Sequence, residues 1–346
     1  MANYQDIKGF NVQSKSTDPT PYAQALVDNP WGGVWSSGGA MNTARYRMVG
    51  GMGTQTAGYV VGGASPSKAN VESYHGGGAG ATNSTALFFG GQMPPTNTTT
   101  GKTESYNGSA WTETGDMNQG AHYITGTGPQ TAALVAAGNR SGTGGTDYSV
   151  NAETFNGASW TEIANLTTGR NGVITVGTTT AALAIAGYEP GTYSTKMEQW
   201  NGSAWTETTD TNYGRYGGAG AGTGVTSALI FGGENPGMPA EQKNTESWNG
   251  SAWTEVADMS TTRSWVWSGG TATDAVTGGG QPSTVNTESF NGTSWTEVNN
   301  LAQTRGQAGG KNGTGQNSIF VSGTSSPPAT SNRITAVEEW NFSGLP

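Results

Sequence analysis

A three-residue motif recurs seven times along the chain, and its spacing constrains the fold more than any other feature of the sequence. Each copy is a Glu, one variable residue and an aromatic residue, preceded by a short apolar stretch that ends at a Gly. The copies begin at Glu72, Glu104, Glu153, Glu198, Glu246, Glu288 and Glu338. Apart from a shorter first interval they recur about every 42 to 50 residues, a period typical of one supersecondary unit that is stacked radially or linearly.

The unit that begins at Arg215 is predicted to form four antiparallel strands in a meander, ordered a to d from the inside outward. A Gly-rich segment suits a narrow strand a, and the apolar run at residues 228–233, bounded by glycines, is typical of a buried strand b. Strand c begins at Glu246 and is followed by Asn249-Gly250, which predicts a type I′ hairpin turn because both central residues of that turn need positive φ. The alternation of apolar and polar residues at 253–256 then predicts a half-buried outer strand d.

A fixed spacing of Trp and Arg links each unit to the next. The Trp that opens strand d is followed ten residues later by the Arg that opens the next strand a, as in Trp205 and Arg215. Because an indole buries a large apolar area, we expect the Trp residues of this frame to be buried between neighbouring blades. These residues are Trp111, Trp160, Trp205, Trp253 and Trp295.

The two ends of the chain predict how the array closes. The C-terminal unit stops after strand c, whereas the N-terminal region supplies Trp35 without a unit of its own. We therefore expect a strand within residues 33–38 to pair with the strand at residues 336–340, which removes the exposed edges of an open array. The prediction is an all-β fold, a seven-bladed β-propeller over residues 31–346 that is closed by an N-terminal strand and preceded by an irregular arm, residues 1–30.

The short first interval, from Glu72 to Glu104, lacks the Asn-Gly turn, the Trp and the Arg. The first blade is therefore expected to have three strands, with residues 69–74 as an unpaired outer edge. Three arrangements are open for this edge. The N-terminal arm docks on it through Phe10 and Val12, which alternate with polar residues. Alternatively, another chain covers the edge, or the edge faces solvent.

The order of Gly-Gly after an apolar strand, then an aromatic residue, a Trp and an Arg resembles the Kelch repeat over about residues 33–344. This resemblance implies a β-propeller. The repeated Thr-Glu-Ser-aromatic-Asn-Gly and Trp-Thr-Glu segments, together with residues 6–13, resemble Kelch-like structural proteins of tailed bacteriophages, notably marine ones. The Asp-box of sialidase propellers fits less well, because the segment from Ser105 to Trp111 is one residue too short and has no Asp.

Composition and charge exclude several functional classes. The net charge of −9 argues against nucleic-acid binding, and no apolar stretch of about 18 residues is present, so no membrane insertion is expected. Cysteine is absent, and His75 and His122 belong to different units. We therefore expect no metal site, no cofactor and no catalysis.

Two sets of residues are candidates for ligand binding. The arginines that open strand a either ring the mouth of the channel and bind an anionic glycan or carboxylate, or lock neighbouring blades through carboxylates and carbonyls. They are Arg45, Arg170, Arg215, Arg263 and Arg305. The second set consists of Tyr residues in variable b–c loops rich in Ser, Gly, Asn and Thr, a composition typical of recognition surfaces. Its members are Tyr148, Tyr188 and Tyr193. The alternative is that these Tyr rings pack on their own blade.

Three hypotheses of function follow from the residues and the resemblance. The first is a non-enzymatic virion structural protein, assembled in the host cytoplasm and docked on other capsid or tail proteins by its N-terminal arm. The second is an adhesin or lectin-like module that reads host-surface glycans through the b–c loops. The third and least favoured is a glycan-active enzyme of the sialidase type, because the repeat singles out no cluster of Arg with Tyr or Glu and Asp.

Overall fold

A computed structural model describes residues 34–37, 51–54, 57–60, 77–82, 85–93, 98–106, 111–141, 147–235, 241–282, 284–302, 304, 317–321 and 337–341. These residues form β-strands and, within that part of the chain, no helix. In chain order the strands are β1 (Val34–Ser37), β2 (Gly51–Thr54), β3 (Ala57–Val60), β4 (Gly77–Thr82), β5 (Thr85–Phe89), β6 (Gln92–Met93), β7 (Thr98–Thr99), β8 (Thr103–Tyr106), β9 (Trp111–Glu113), β10 (Thr125–Thr127), β11 (Leu134–Ala136), β12 (Ala152–Phe155), β13 (Trp160–Glu162), β14 (Ile174–Gly177), β15 (Ala182–Ile185), β16 (Tyr188–Glu189), β17 (Thr192–Tyr193), β18 (Met197–Trp200), β19 (Trp205–Glu207), β20 (Ala219–Gly224), β21 (Ser227–Phe231), β22 (Thr245–Trp248), β23 (Trp253–Val256), β24 (Trp267–Thr271), β25 (Asp274–Gly278), β26 (Thr287–Phe290), β27 (Trp295–Val298), β28 (Asn317–Val321) and β29 (Val337–Asn341).

Five sheets share one design, four antiparallel strands joined in chain order. They are sheet 2 (β4-β5-β8-β9), sheet 3 (β10-β11-β12-β13), sheet 4 (β14-β15-β18-β19), sheet 5 (β20-β21-β22-β23) and sheet 6 (β24-β25-β26-β27). Sheet 1 is the pair β2-β3, and sheet 7 has the order β1-β29-β28. Two small ribbons, β6-β7 and β16-β17, lie in the connections between the second and third strands of sheets 2 and 4. The predicted four-stranded meander is therefore confirmed in these five sheets.

Burial along each sheet follows the sequence pattern. All four residues of β15 are buried, as expected for an apolar second strand covered on both faces. The fourth strand β19 buries its Trp and exposes the two residues that follow. The first strands approach their neighbours closely because they are rich in Gly, and a Cβ at Gly220 of β20 would lie 2.6 Å from Cγ2 of Ile174 in β14.

The two ends of the chain meet in sheet 7. Strand β1 pairs antiparallel with β29, and Trp35 lies opposite Trp340. The predicted pairing of an N-terminal strand with the C-terminal unit is thereby confirmed. Residues 77–82 form the first strand of sheet 2, so they do not complete sheet 1, again as predicted. The predicted edge at residues 69–74 and the docking residues Phe10 and Val12 lie outside the described residues.

The innermost described strand of each sheet contacts that of the next in a cycle; in sheets 1 to 6 it is the first strand, and in sheet 7 it is β28, the counterpart of the second strands. β2 contacts β4, β4 contacts β10, β10 contacts β14, β14 contacts β20, β20 contacts β24, β24 contacts β28, and β28 contacts β2. An all-β chain with four-stranded antiparallel sheets arranged in this way is consistent with a β-propeller.

The Trp residues of the repeat frame were predicted to pack between sheets, and those whose side chains are described do so. Trp160, Trp205 and Trp253 are buried. Trp295 is partly buried against its neighbours, and the side chain of Trp111 is not among those described. Trp160 of sheet 3 contacts Phe89 of sheet 2 edge-on, with ring centroids 4.7 Å apart. In sheets 3 to 6 the frame therefore joins the fourth strand to the preceding sheet.

The Asn-Gly turns between third and fourth strands are confirmed, but the predicted turn type is wrong. Gly157, Gly202, Gly250 and Gly292 all have positive φ, between 90° and 98°. Asn249, in contrast, does not have positive φ, and the loop between the paired residues Trp248 and Trp253 contains four residues rather than two. The Asn249 carboxamide oxygen accepts hydrogen bonds from the amides of Ser251 and Ala252 at 2.9 Å each. Asn is therefore used for its side-chain acceptor, which caps the turn. Asn107-Gly108 lies outside the described residues.

Candidate functional site

Three of the candidate arginines are buried in ion pairs. Arg215 donates from Nη2 to Oε1 of Glu246 over 2.7 Å, and Nη1 donates to the carbonyls of Gly232 and Asn244. Arg170 contacts Glu198 and Arg263 contacts Glu288 in the same way, and all three arginines are at most 1% exposed. Burial lowers the pKa of each Arg, and the paired Glu opposes that effect. These side chains lock the connection that enters a sheet to the third strand of that same sheet, whereas the locking role was predicted between neighbouring blades.

Sheet 3 has no Arg at this position, because Ala121 stands where Arg170 stands in sheet 4. The carboxylate of Glu153 instead accepts hydrogen bonds from the backbone and side chain of Asn118. Arg140, from the connection between the second and third strands, comes within 3.8 Å of Glu153 with only 7% of its side chain exposed. Arg140 therefore supplies from another element the charge that the repeat lacks here. Arg45 and Arg305 lie outside the described residues.

The position two residues beyond the Arg has a left-handed backbone in four successive sheets. Gly172 (φ 59°) and Gly217 (φ 66°) occupy it in sheets 4 and 5, and Tyr123 (φ 52°) and Trp265 (φ 51°) occupy it in sheets 3 and 6. The conformation is stabilised by hydrogen bonds between sheets, from the Gly172 amide to the Tyr123 carbonyl and from the Trp265 amide to the Gly217 carbonyl. A bulky residue at positive φ is uncommon, and such strain concentrates at functional sites.

Six aromatic side chains meet near these positions and form what we call the aromatic face, which consists of Tyr123, Tyr148, Tyr188, Tyr193, Tyr216 and Trp265. The ring centroids of Tyr216 and Trp265 are 4.9 Å apart and nearly perpendicular. Tyr123 lies 6.1 Å from Tyr216 and 6.4 Å from Trp265. Tyr188 extends the face, at 6.0 Å from Tyr216. Since sheets 3 and 6 are not neighbours, the contact of Tyr123 with Trp265 places the face over the centre of the cycle of innermost described strands.

Glycine in one sheet makes room for the aromatic ring of the next. A Cβ at Gly172 would clash with the Tyr216 ring. A Cβ at Gly217 would lie 2.9 Å from the Trp265 indole. The two rings thus pack against glycine backbone, and both residues stay partly exposed.

Polar groups border the aromatic face. Asn171 and Ser264, at the position before the left-handed residue, are 6% and 1% exposed, and the Asn171 Oδ1 and Ser264 Oγ have no hydrogen-bond partner among the described residues. Glu234 is half-buried beside Tyr216, with which it exchanges two backbone hydrogen bonds. Burial, and next the nearby Glu241, raise the pKa of Glu234. Burial also lowers the pKa of His122 to about 4, so this imidazole is neutral at pH 7.

The predicted Tyr148, Tyr188 and Tyr193 belong to this face, where Tyr188 lies 5.8 Å from Tyr148 and 5.1 Å from Tyr193. Sequence reasoning missed Tyr123, Tyr216 and Trp265. All three stand one or two residues beyond the Arg of the frame or its equivalent, so an aromatic residue at that offset is the signal that would have indicated them.

The arrangement presents ring faces and hydrogen-bonding groups, the usual composition of a small-ligand site. Within the described residues, no group of three or more His, Asp or Glu is placed to hold a metal ion. No helix that is long and apolar enough to cross a membrane occurs in the same part of the chain.

No model of a known protein family matches the sequence, and no curated protein matches it either. Among solved structures, the chain is similar to the structure of YjhT, with a TM-score of 0.56 and 14% sequence identity. The similarity covers 76% of this chain and 92% of that chain. At this identity the similarity concerns the fold alone, and it agrees with a propeller-like arrangement of the sheets.

Proposed function

We propose that this chain is a non-enzymatic, seven-bladed Kelch-like propeller of a phage virion, and that its aromatic face binds a saccharide of the host surface. The observation that carries the proposal is the meeting of Tyr123, Tyr216 and Trp265, which come from three different sheets. Tyr123 and Trp265 place a bulky side chain at a left-handed position where the repeat requires none, since Gly occupies the same position in sheets 4 and 5.

Seven blades are supported by the cycle of innermost described strands, which passes through seven sheets and returns to its start. The pairing of β1 with β29 supplies the closing strand. The seven copies of the Glu motif agree with this number.

A virion location is supported by the resemblance of the repeat and of residues 6–13 to phage structural proteins. The N-terminal arm, residues 1–30, would dock on capsid or tail proteins through Phe10 and Val12. A non-enzymatic role is supported by the carboxylates of the repeated Glu motif, which serve the structure. Glu198, Glu246 and Glu288 each form an ion pair with Arg and accept a hydrogen bond from a backbone amide.

A saccharide is the favoured ligand because sugar rings have apolar faces that stack on exposed aromatic rings and hydroxyls that need nearby acceptors. The face offers both, with partly exposed rings and with the carboxylate of the half-buried Glu234 at its border. Among the described residues, Arg170, Arg215 and Arg263 are buried in ion pairs and so offer no free charge to an anionic ligand.

The test is binding of the purified chain to host envelopes and their isolated polysaccharides, followed by calorimetry. Trp265→Gly keeps the left-handed backbone favourable and should abolish binding. Tyr213→Ala is the control, because Tyr213 is a partly exposed aromatic residue outside the face whose hydroxyl donates to Glu255. Equal binding by wild type and Trp265→Gly, or no binding by wild type, would refute the role of the face. Absence of the chain from purified particles would refute the virion location.

A further inference from the structure

We infer that the saccharide bound at the aromatic face carries a cationic nitrogen and that the carboxylate of Glu234 recognises it. This inference rests on the proposed function and names the class of ligand for the same site. It follows from the position of Glu234, from the charges around it and from the rings beside it.

Glu234 is fixed at the border of the face. Its amide donates to the Tyr216 carbonyl over 2.8 Å, and the Tyr216 amide donates back over 3.1 Å. The backbone of Glu234 also bridges that of Glu241. The charge of Glu234 raises the pKa of Tyr193 after the larger effect of burial, and that of Tyr216 after burial and Tyr123. Glu234 is therefore fixed by its backbone beside Tyr216 at the border of the face.

The carboxylate has no cation to balance it within the described residues. No Lys or Arg there comes within ion-pair distance of Glu234, and its titratable neighbours are Glu241, Tyr193 and Tyr216. Lys196, in the neighbouring connection, is engaged by Glu189 at 3.4 Å. A half-buried carboxylate next to a second one favours a positive ligand group by charge complementarity.

Aromatic rings add to this preference. A cation over the face of Trp or Tyr is attracted by the ring quadrupole, and quaternary ammonium groups are recognised in this way. Tyr188, Tyr193, Tyr216 and Trp265 present such rings around the same border.

Three tetrasaccharides that differ in charge test the inference by calorimetry at pH 7.5. They are trimethylated glucosamine (cationic), N-acetylglucosamine (neutral) and galacturonate (anionic). The cationic tetramer should bind about tenfold more tightly than the neutral one at low salt, and this advantage should shrink as salt screens the charge. The galacturonate tetramer should bind most weakly.

Variants separate the inference from the proposed function on which it rests. Glu234→Gln should reduce the affinity for the cationic tetramer to the affinity for the neutral tetramer. The control Glu255→Gln removes the same charge from an exposed position on β23 and should change the affinity for neither tetramer. Trp265→Gly should abolish binding of both. If Glu234→Gln leaves the preference unchanged, or if the tetramers fail while host polysaccharide binds, the inference is overturned and the proposed function stands. If wild type binds neither the tetramers nor the host polysaccharide, the proposed function fails as well.

Discussion

The Arg170 guanidinium and the Glu198 carboxylate form a fully buried ion pair, with Nη2 3.0 Å from Oε1 and neither side chain exposed. Arg170 Nη1 also donates to the carbonyls of Ala186 and Lys196, and Glu198 Oε2 accepts from the Thr167 amide over 2.7 Å. The end of β15, the start of β18 and the connection that enters sheet 4 therefore meet at one pair of charges.

Removing one partner of this pair should be costly. Glu198→Gln leaves the Arg170 charge buried without its counter-charge, and we expect the free energy of unfolding to fall by about 3–5 kcal/mol. The control is Glu207→Gln on the neighbouring strand, directly opposite Glu198 but exposed, which should change stability by less than about 0.5 kcal/mol. Urea unfolding of the two variants measures the difference, and equal stability would contradict the structural role.

Glu104 occupies the same repeat position in sheet 2 but lacks the Arg, and its Oε2 is buried without a partner among the described residues. Burial, and then the Glu113 charge, raise the pKa of Glu104 above its ordinary value of 4.5. The stability that the protonated Glu104 carboxyl contributes is therefore fully present below the pKa that it has in the unfolded chain. This contribution is lost as pH rises through the pKa that Glu104 has in the folded protein. Glu104→Gln should be more stable than wild type at pH 7, and the difference should narrow towards pH 4. Unfolding across this pH range tests it, and a variant less stable than wild type at pH 7 would contradict it.

The indole N–H groups of the frame predict a stabilising substitution. Trp160 and Trp295 each donate to a Thr hydroxyl at the start of the preceding sheet's third strand, Thr103 and Thr245, at 2.9 Å. The equivalent residue for Trp205 is Ala152, and the Trp205 N–H is buried without an acceptor among the residues that the structure describes. Ala152→Thr should supply the missing acceptor.

Ala152→Val is the control for that substitution, because it adds the same volume without a hydroxyl. We expect the Thr variant to be about 1 kcal/mol more stable than the Val variant, the usual net value of one hydrogen bond. Thermal unfolding of the pair measures this difference. Identical stabilities would mean that the indole does not reach position 152.

Trp265 should differ from the buried Trp253 in its contribution to stability. Trp253→Ala removes a large core side chain and should cost about 3–5 kcal/mol. Trp265→Gly loses only partly exposed contacts and relieves a left-handed conformation that costs a bulky residue about 1 kcal/mol or more. Its unfolding free energy should therefore stay within about 1 kcal/mol of wild type. A loss as large as that of Trp253→Ala would make Trp265 a core residue rather than a ligand-binding one.

The repeat frame could be predicted from the sequence because the same physical requirement recurs in every sheet. Trp205, Arg170 and the Asn-Gly turns fill positions that each unit needs, so their spacing shows in the sequence alone. The turn type was missed because the Asn249 side chain, rather than a left-handed Asn, closes the loop.

The aromatic face could be predicted only in part, because spacing locates a residue but does not give the direction of its side chain. The role of Arg170 stayed open between ligand binding and locking for that reason. Tyr123 and Trp265 join the face through a positive φ that residue type does not indicate, and through a contact across non-neighbouring sheets that no local pattern records.

A crystal structure of the chain with the bound trimethylated glucosamine tetramer would test most directly where the ligand binds. We predict density for a sugar ring stacked on Trp265 and Tyr216, with its cationic nitrogen next to the Glu234 carboxylate. A tetramer bound instead at the outer strands, with the aromatic face empty, would contradict the proposal.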